Sequence, residues 1–399
     1  MKKQLIFILF FVVVSKLTFS QPRMQNEKER ANAGVVLVQP KNDIRIINRQ
    51  HQRVSSKACS EDGGVIYITW YTGGKGEQAG NYVTLSVSAD RGKSWKHDEL
   101  VVYPKDSNTR FFDPVLWRDH QGQVWWFYAV SMNNQYFDPK TGVNAIPISW
   151  DGTKVRHKKP SLLSYGVMMN NPIYIPEKHI TLFPSYIKIL NRAGQNRFEI
   201  DDYVQDGTFI YAHDHKKKGK NFKKVLEPYS YIPVLPDEKR IFDEHNIVQI
   251  AEGSRHFMAL IRYKGGMYFS PSNDYGKTWL SLEPFTAAGL TTSSRCYLGR
   301  LKSGNLILVM NANTTRNNMT AFISEDGGHT WPYQLLLDER ASVSYPDLDQ
   351  SSDGLIHVTY DRDRSGAQEI NYCSFREEDV ISGDNSKVFK TRINPLNSN

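Results

Sequence analysis

Only three cysteines occur in 399 residues, Cys59, Cys296 and Cys373. Their spacing fits no metal-binding pattern, and three are too few for a disulfide scaffold. An odd count leaves at least one thiol unpaired within the chain, so buried and inert thiols are expected. Beyond the amino terminus no apolar run is long enough to cross a bilayer, which excludes a polytopic helical membrane protein. A sustained 3.6-residue apolar period is missing too, so strands outscore helices in most windows. Charge of one sign is scarce: 50 basic against 42 acidic residues leave a formal +8. Part of that surplus sits in Lys216, Lys217, Lys218 and Lys220, which reads as a solvated turn rather than a nucleic-acid surface. The mild positive field does suit an acidic polysaccharide. No phosphate loop follows a strand and opens a helix; Gly73-Gly74-Lys75-Gly76 lacks that context. There is no EF-hand pattern, which leaves the Asp-rich turns as the remaining place for a calcium ion. We therefore expect no cofactor, no nucleic-acid partner, no resident metal and a monomer.

What is present points to export and to sheets. Residues 1–20 carry Lys2 and Lys3, then an apolar run over 5–14, then Thr18 and Ser20 at −3 and −1 before Gln21. This is the form of a secretory signal peptide, and it predicts a secreted or periplasmic protein. Removing it takes Lys2, Lys3 and Lys16 out of the charge balance. No cysteine follows it, so a lipoprotein anchor is not expected. The segment 21–40 reads as polar and loose, 41–389 as one domain, and 390–399 as a tail. Aromatic residues make up 12% of the chain, which favours β-structure and flat surfaces for sugar rings.

An eight-residue pattern recurs. It reads Ser88-Ala-Asp90-Arg-Gly92-Lys-Ser94-Trp95, then Ser272-Asn-Asp274-Tyr-Gly276-Lys-Thr278-Trp279, then Ser324-Glu-Asp326-Gly-Gly328-His-Thr330-Trp331. A worn copy is Ala212-His-Asp214 with Gly219 and Phe222. The chemistry is that of a hairpin turn. Asp accepts from turn amides, Gly takes the left-handed conformation, and Trp packs beneath. These copies resemble the Asp boxes of sialidase-like β-propellers, where they serve folding rather than chemistry. Six sheet-like modules centre on 65–87, 124–148, 179–211, 257–269, 306–323 and 355–375. That spacing fits four-stranded blades. The expected fold is all-β, a six-bladed β-propeller with Asp-box repeats. Trp125 and Trp126 alternate across a strand, so one of the two is expected in the core.

Other phrases carry the resemblance to the sialidase superfamily. They are Thr69-Trp70-Tyr71-Thr72-Gly73-Gly74, Phe112-Asp113-Pro114, Met168-Met169-Asn170, Phe242-Asp243-Glu244-His245, Ser293-Ser294-Arg295, Ser344-Tyr345-Pro346-Asp347 and Tyr360-Asp361-Arg362-Asp363-Arg364. The resemblance covers about 45–375. It implies four parts: arginines that grip a sugar carboxylate, an acid for the leaving oxygen, a tyrosine nucleophile, and a carboxylate that takes the tyrosine's proton. A neutral phenol suits a sugar whose anomeric carbon bears a carboxylate, because an anionic nucleophile would be repelled.

Tyr345 matches the nucleophile through Ser344-Tyr345-Pro346-Asp347-Leu348, Asp353-Gly354 and Tyr360-Asp361. Glu77 stands on the loop where the family places its catalytic Asp, and it is the acid/base candidate. Asp243, Glu244 and His245 are candidates for the tyrosine's base or for proton transfer. Arg53, Arg295 and Arg362 are expected to hold the carboxylate, with Arg262 and Arg364 as further candidates, since the guanidinium fork fits a carboxylate with two hydrogen bonds. Asp113 and Asn170 are expected to line the pocket, with Trp117 and Asn81. Gln52-Arg53-Val54-Ser55 departs from the family's Phe/Tyr-Arg-Ile-Pro.

The function expected is an exo-acting glycoside hydrolase that removes a terminal acidic sugar. Two alternatives stay open. One is a hydrolase or lyase acting on uronic-acid fragments, such as unsaturated glucuronyl ends of ulvan-type chains. The other is a non-catalytic carbohydrate-binding propeller.

Overall fold

The computed structural model describes residues 20–40, 49–134, 141–187, 207–218, 222 and 225–394. Residues 1–19, Lys220 and the middle of the third module lie outside the described residues.

Six antiparallel sheets follow one another along the chain, each built from consecutive strands. Their first strands are Gln52–Cys59, Arg110–Arg118, Ile173–Ile175, His245–Gln249, Tyr297–Arg300 and Val343–Gln350. The third to sixth sheets have four strands in simple up-and-down order, and the first two carry a fifth. The all-β six-bladed β-propeller expected from the repeats is the fold observed. The second strands, such as Ile66–Thr72 and Leu306–Asn311, are buried on both faces, which explains their near-continuous apolar runs. Hydrophobic clusters lie between adjoining sheets, as with Ile261 against Ile175 and Leu182. Trp125 and Trp126 are both buried, so both belong to the core. The three cysteines are free and buried, and burial pushes each thiol up to about 12.

The domain boundaries need correction. The segment read as loose contains a helix, Ser20–Ala31, followed by the strand Gly34–Val38. That strand pairs with Lys96–Pro104 on the outer edge of the first sheet. The helix rests on the second blade, where Asn26 donates to Tyr165 and Asn144 donates to the Arg30 carbonyl at 3.0 Å. The amino-terminal arm therefore staples two blades. At the other end, Phe389–Arg392 pairs with Glu369–Phe375, so the sixth sheet runs past the expected boundary.

The Asp boxes work as expected and also do something more. Asp326 accepts from the Thr330 amide at 2.9 Å and the Thr330 hydroxyl at 2.7 Å, while Ser324 accepts from the Gly328 amide. Gly328 takes φ +95, a conformation that a side chain resists. Each aromatic then packs on the preceding blade. Trp95 meets Tyr372 of the sixth blade, Trp279 joins Ile175 and Ile210 of the third, and Trp331 meets Phe285 and Met258 of the fourth. Phe222 of the worn copy takes the same place against Trp125 of the second blade. The boxes are thus joints between blades. Trp331→Ala should cost about 3–5 kcal/mol while leaving turnover unchanged. Urea denaturation and an activity assay check both parts.

Candidate active site

The candidate residues converge where the first strands begin and the second strands end. Three first strands carry an irregularity there: between Arg53 and Ser56, between Phe112 and Val115, and between Ser344 and Asp347. Each holds a non-glycine residue in the left-handed region: Val54 at φ +55, Asp113 at φ +46 and Tyr345 at φ +55. Such bulges re-aim side chains, and strain of this kind gathers at functional sites. The Asp361 carboxylate secures one of them by accepting from the Val54 amide at 2.8 Å.

Tyr345 is at the centre of the cluster. Its hydroxyl donates to Glu244 Oε1 at 3.0 Å and accepts from Arg262 Nη1 at 2.8 Å. Arg262 also contacts Glu244 at 2.9 Å. Two more guanidinium groups face the tyrosine ring, Arg364 at 4.1 Å and Arg316 at 5.1 Å from its centre. Burial pushes the phenol's pKa up, and Glu244 adds to that while the arginines oppose it. The phenol is therefore neutral at neutral pH, with a carboxylate placed to take its proton.

Glu77 comes in from the first blade. The Tyr71 hydroxyl donates to its Oε1 at 2.7 Å, and Arg53 contacts the same oxygen at 2.5 Å. Its loop turns at Gly73, where an added Cβ would lie 2.8 Å from the Tyr82 ring. Asn81 fixes that loop by donating to the carbonyls of Gly73 and Gly76 and accepting from the Gln78 amide. Asn81 is therefore a loop brace and not a sugar contact.

Asp113 is 7% exposed, and among the described residues its carboxyl has no hydrogen bond or ion pair. Burial, then the charge of Glu77, raises its pKa to about 7; Arg110 and Arg295 oppose this, while Glu244 adds to it.

The remaining candidates have other roles. Asp243 faces away from the tyrosine and is bound by Arg240, with Nε at 2.8 Å. His245 has both ring nitrogens against backbone carbonyls, of Asp243 at 3.0 Å and Phe209 at 3.1 Å. The three residues part company just before the strand His245–Gln249, where the Glu244 amide donates to the Phe242 carbonyl at 2.8 Å: Glu244 enters the site and its two neighbours do not. Arg362 pairs with Glu369, which Arg340 also contacts. That cluster is separate from the tyrosine, and Arg364 takes the place expected of Arg362. Arg295 is fully buried, held by Asn170 at 3.0 Å and facing Asp347 at 3.3 Å. Asn170 is thus a positioning group for Arg295. Trp117 lines a different cavity of about 260 Å³ with Lys57, Tyr174, Tyr297 and Asp349. Sequence reasoning missed Arg316, Tyr71 and Arg110. Arg316 lies in the polar run Thr314-Thr315-Arg316-Asn317, which has no local signal; the fold alone carries it to the tyrosine. Arg110 packs over Phe112 at 4.1 Å.

Burial pulls the pKa of His51 and of His245 down to about 4. The unfolded chain then takes up protons that the folded chain refuses as pH drops from the ordinary 6.5 to about 4. The stability these two groups contribute should decline across that window and stay lost below it. Urea midpoints of wild type compared with those of His51→Gln at pH 7 and pH 4.5 check this.

Among the described residues no three His, Cys, Asp or Glu are grouped as a metal site. Nor is any helix long and apolar enough to cross a membrane.

A six-bladed ring jointed by Asp boxes, with a tyrosine, a glutamate and arginines gathered at one end of its first strands, is a sialidase-like β-propeller. The profile of a family described as a BNR repeat-like domain matches residues 64–358, and the chain belongs to that family. No curated protein sequence matches it. Among solved structures it is similar to a Hadza microbial sialidase, with 16% identity and a TM-score of 0.60 over 83% of this chain and 66% of that one. It is also similar to an intramolecular trans-sialidase from Ruminococcus gnavus, with 14% identity and a TM-score of 0.55 over 83% and 95%. An α-L-arabinanase from Penicillium chrysogenum is similar at 12% identity and a TM-score of 0.56 over 87% and 99%. At these identities the likeness is one of fold. The chain spans just under two thirds of the Hadza sialidase's length.

Proposed function

We propose that the protein is an exo-acting glycoside hydrolase that releases a terminal carboxylated sugar with retention of configuration. One observation carries this reading: the Tyr345 hydroxyl sits between Glu244 and Arg262 with two further guanidinium groups against its ring. The phenol oxygen attacks the anomeric carbon as Glu244 takes its proton. The glycosidic bond breaks, and its electron pair leaves with the departing oxygen, which is protonated by a carboxylic acid of the site. Water then displaces the tyrosine, giving its oxygen to the anomeric carbon and a proton back to that carboxylate, and the phenolate recovers its proton from Glu244. The arginines provide the charge a sugar carboxylate needs. An arabinanase shares the fold, so the fold does not choose the sugar. The arginines favour an acidic one, and the named sialidase and trans-sialidase make a sialoside the first substrate to try. The amino-terminal leader read from the sequence would put the enzyme outside the cytoplasm, where such glycans are met.

Lyase chemistry at a uronate would need His245, with Tyr345, to move protons at the substrate. With both ring nitrogens against carbonyls and burial pulling its pKa down to about 4, His245 offers no support for that role. Mass spectrometry of products from a sialylated oligosaccharide and from an oligosaccharide ending in an unsaturated uronate tests the proposal. Release of either acidic sugar as the free monosaccharide is expected. Binding without any product would leave a carbohydrate-binding propeller instead.

A further inference from the structure

Two carboxyl groups compete to protonate the leaving oxygen, and their surroundings differ sharply. Glu77 is committed: Oε1 holds both the Tyr71 hydroxyl and the Arg53 guanidinium. A carboxylate so engaged is fixed towards these two partners rather than presented to a leaving group. Asp113 is the opposite case. Its carboxyl has no hydrogen bond or ion pair among the described residues, although the residue is nearly buried. A bulge on the second blade's first strand turns it by way of the left-handed conformation. Nothing in the folding of that strand requires an unpaired carboxyl there, and an unpaired buried carboxyl opposes stability.

We propose that Asp113, and not Glu77, donates the proton to the departing glycosidic oxygen, and that Glu77 is a positioning residue that fixes Arg53 and Tyr71. This assignment rests on the hydrolase reading above. In the first step the glycosidic C–O bond breaks, the leaving oxygen keeps the electron pair, and Asp113 supplies its proton. Tyr345 forms the new bond to carbon while Glu244 takes the phenolic proton. In the second step water gives its proton to Asp113 and its oxygen to the anomeric carbon, and Glu244 returns the proton to the phenolate. The groups that act on Asp113 come from four elements: Glu77 and Tyr71 of the first blade, Arg110 on its own strand, Glu244 of the fourth blade, and Arg295 before the fifth blade's first strand. Burial and the two carboxylates favour the protonated acid, and the two arginines limit the rise to about 7. That value suits a group that must give a proton in one step and accept one in the next.

The test uses wild type, D113N and E77Q. The probes are 4-nitrophenyl and alkyl glycosides of N-acetylneuraminic acid and of glucuronic acid. A nitrophenolate leaves without help, whereas an alkoxide must be protonated. For D113N, kcat/KM on the alkyl glycoside should fall at least about 100-fold, and on the nitrophenyl glycoside less than about tenfold. The basic limb of the wild-type pH profile, near 7, should vanish in D113N. E77Q should lose the same proportion on both probes, chiefly through KM, and should keep that limb. A leaving-group split in E77Q with none in D113N overturns the assignment alone. No turnover of any probe by wild type overturns the hydrolase reading and the assignment with it. A second readout needs no activity. Because the folded-state pKa is raised, wild type loses stability between pH 4 and about 7 on account of this group, and D113N does not. The thermal midpoint of wild type should therefore fall relative to D113N from pH 5 to pH 8. Parallel curves would overturn the proposal, since Asp113 would then hold no proton at neutral pH.

Discussion

Tyr345→Phe is expected to lower kcat on an acidic glycoside by about a thousandfold or more, with KM changed only a few-fold. The phenol oxygen is the atom that the arrangement serves, and no neighbouring group replaces it: Glu244 and Arg262 would still pair with each other at 2.9 Å. That surviving pair also argues that the variant folds. Steady-state kinetics beside a thermal melt separate the two effects. Turnover retained by Tyr345→Phe would remove the nucleophile from the proposal and leave Glu244 to activate a water directly.

A large effect on stability, as large as that of Trp331→Ala, is expected at the fully buried Asp347. Its carboxylate accepts from the Lys57 amide at 2.9 Å and from the Ser56 hydroxyl, and it faces Arg295 at 3.3 Å. Both side chains of that ion pair are wholly buried. Asp347→Ala strands a buried guanidinium and a buried amide together, and should cost about 3–5 kcal/mol. Asp347→Asn keeps acceptors for the amide and hydroxyl and should cost less, the difference reporting the charge. Urea denaturation at pH 7 measures both. A cost below about 1 kcal/mol for the alanine variant would place it with exposed ion pairs instead.

Much of this protein can be read without coordinates, because its signals are local. An Asp box needs eight neighbouring residues, so Asp90, Asp274 and Asp326 announce themselves. Strands such as Tyr82–Ser88 show in their residue types. The site divides along the same line. Tyr345 stands in a phrase that marks it, and Glu244 stands in a charged triplet that marks the place, but not which of the three residues turns inward. The turn of the backbone just before the strand decides that, with Asp243 going to Arg240 and His245 to two carbonyls. Arg316 has no phrase of its own, because its importance comes from a blade neighbour distant in sequence. The helix Ser20–Ala31 was also hidden. It is short and polar, and it owes its place to contacts with the second blade and not to an apolar stripe.

Among the described residues every sheet is made of consecutive strands, and neither end of the chain adds a strand to the sheet at the other end. Acidic side chains fasten the first and last blades together. Asp347, Asp349 and Asp361 of the last blade each accept from a backbone amide of the first, those of Lys57, Cys59 and Val54. The seam is therefore made only when the sixth blade arrives, after the other five have been synthesised. It is also where a strained ring would open first. One of its fasteners, Asp361, holds the bulge beside Arg53, so a ring that has not closed is also a ring whose candidate site is unfinished.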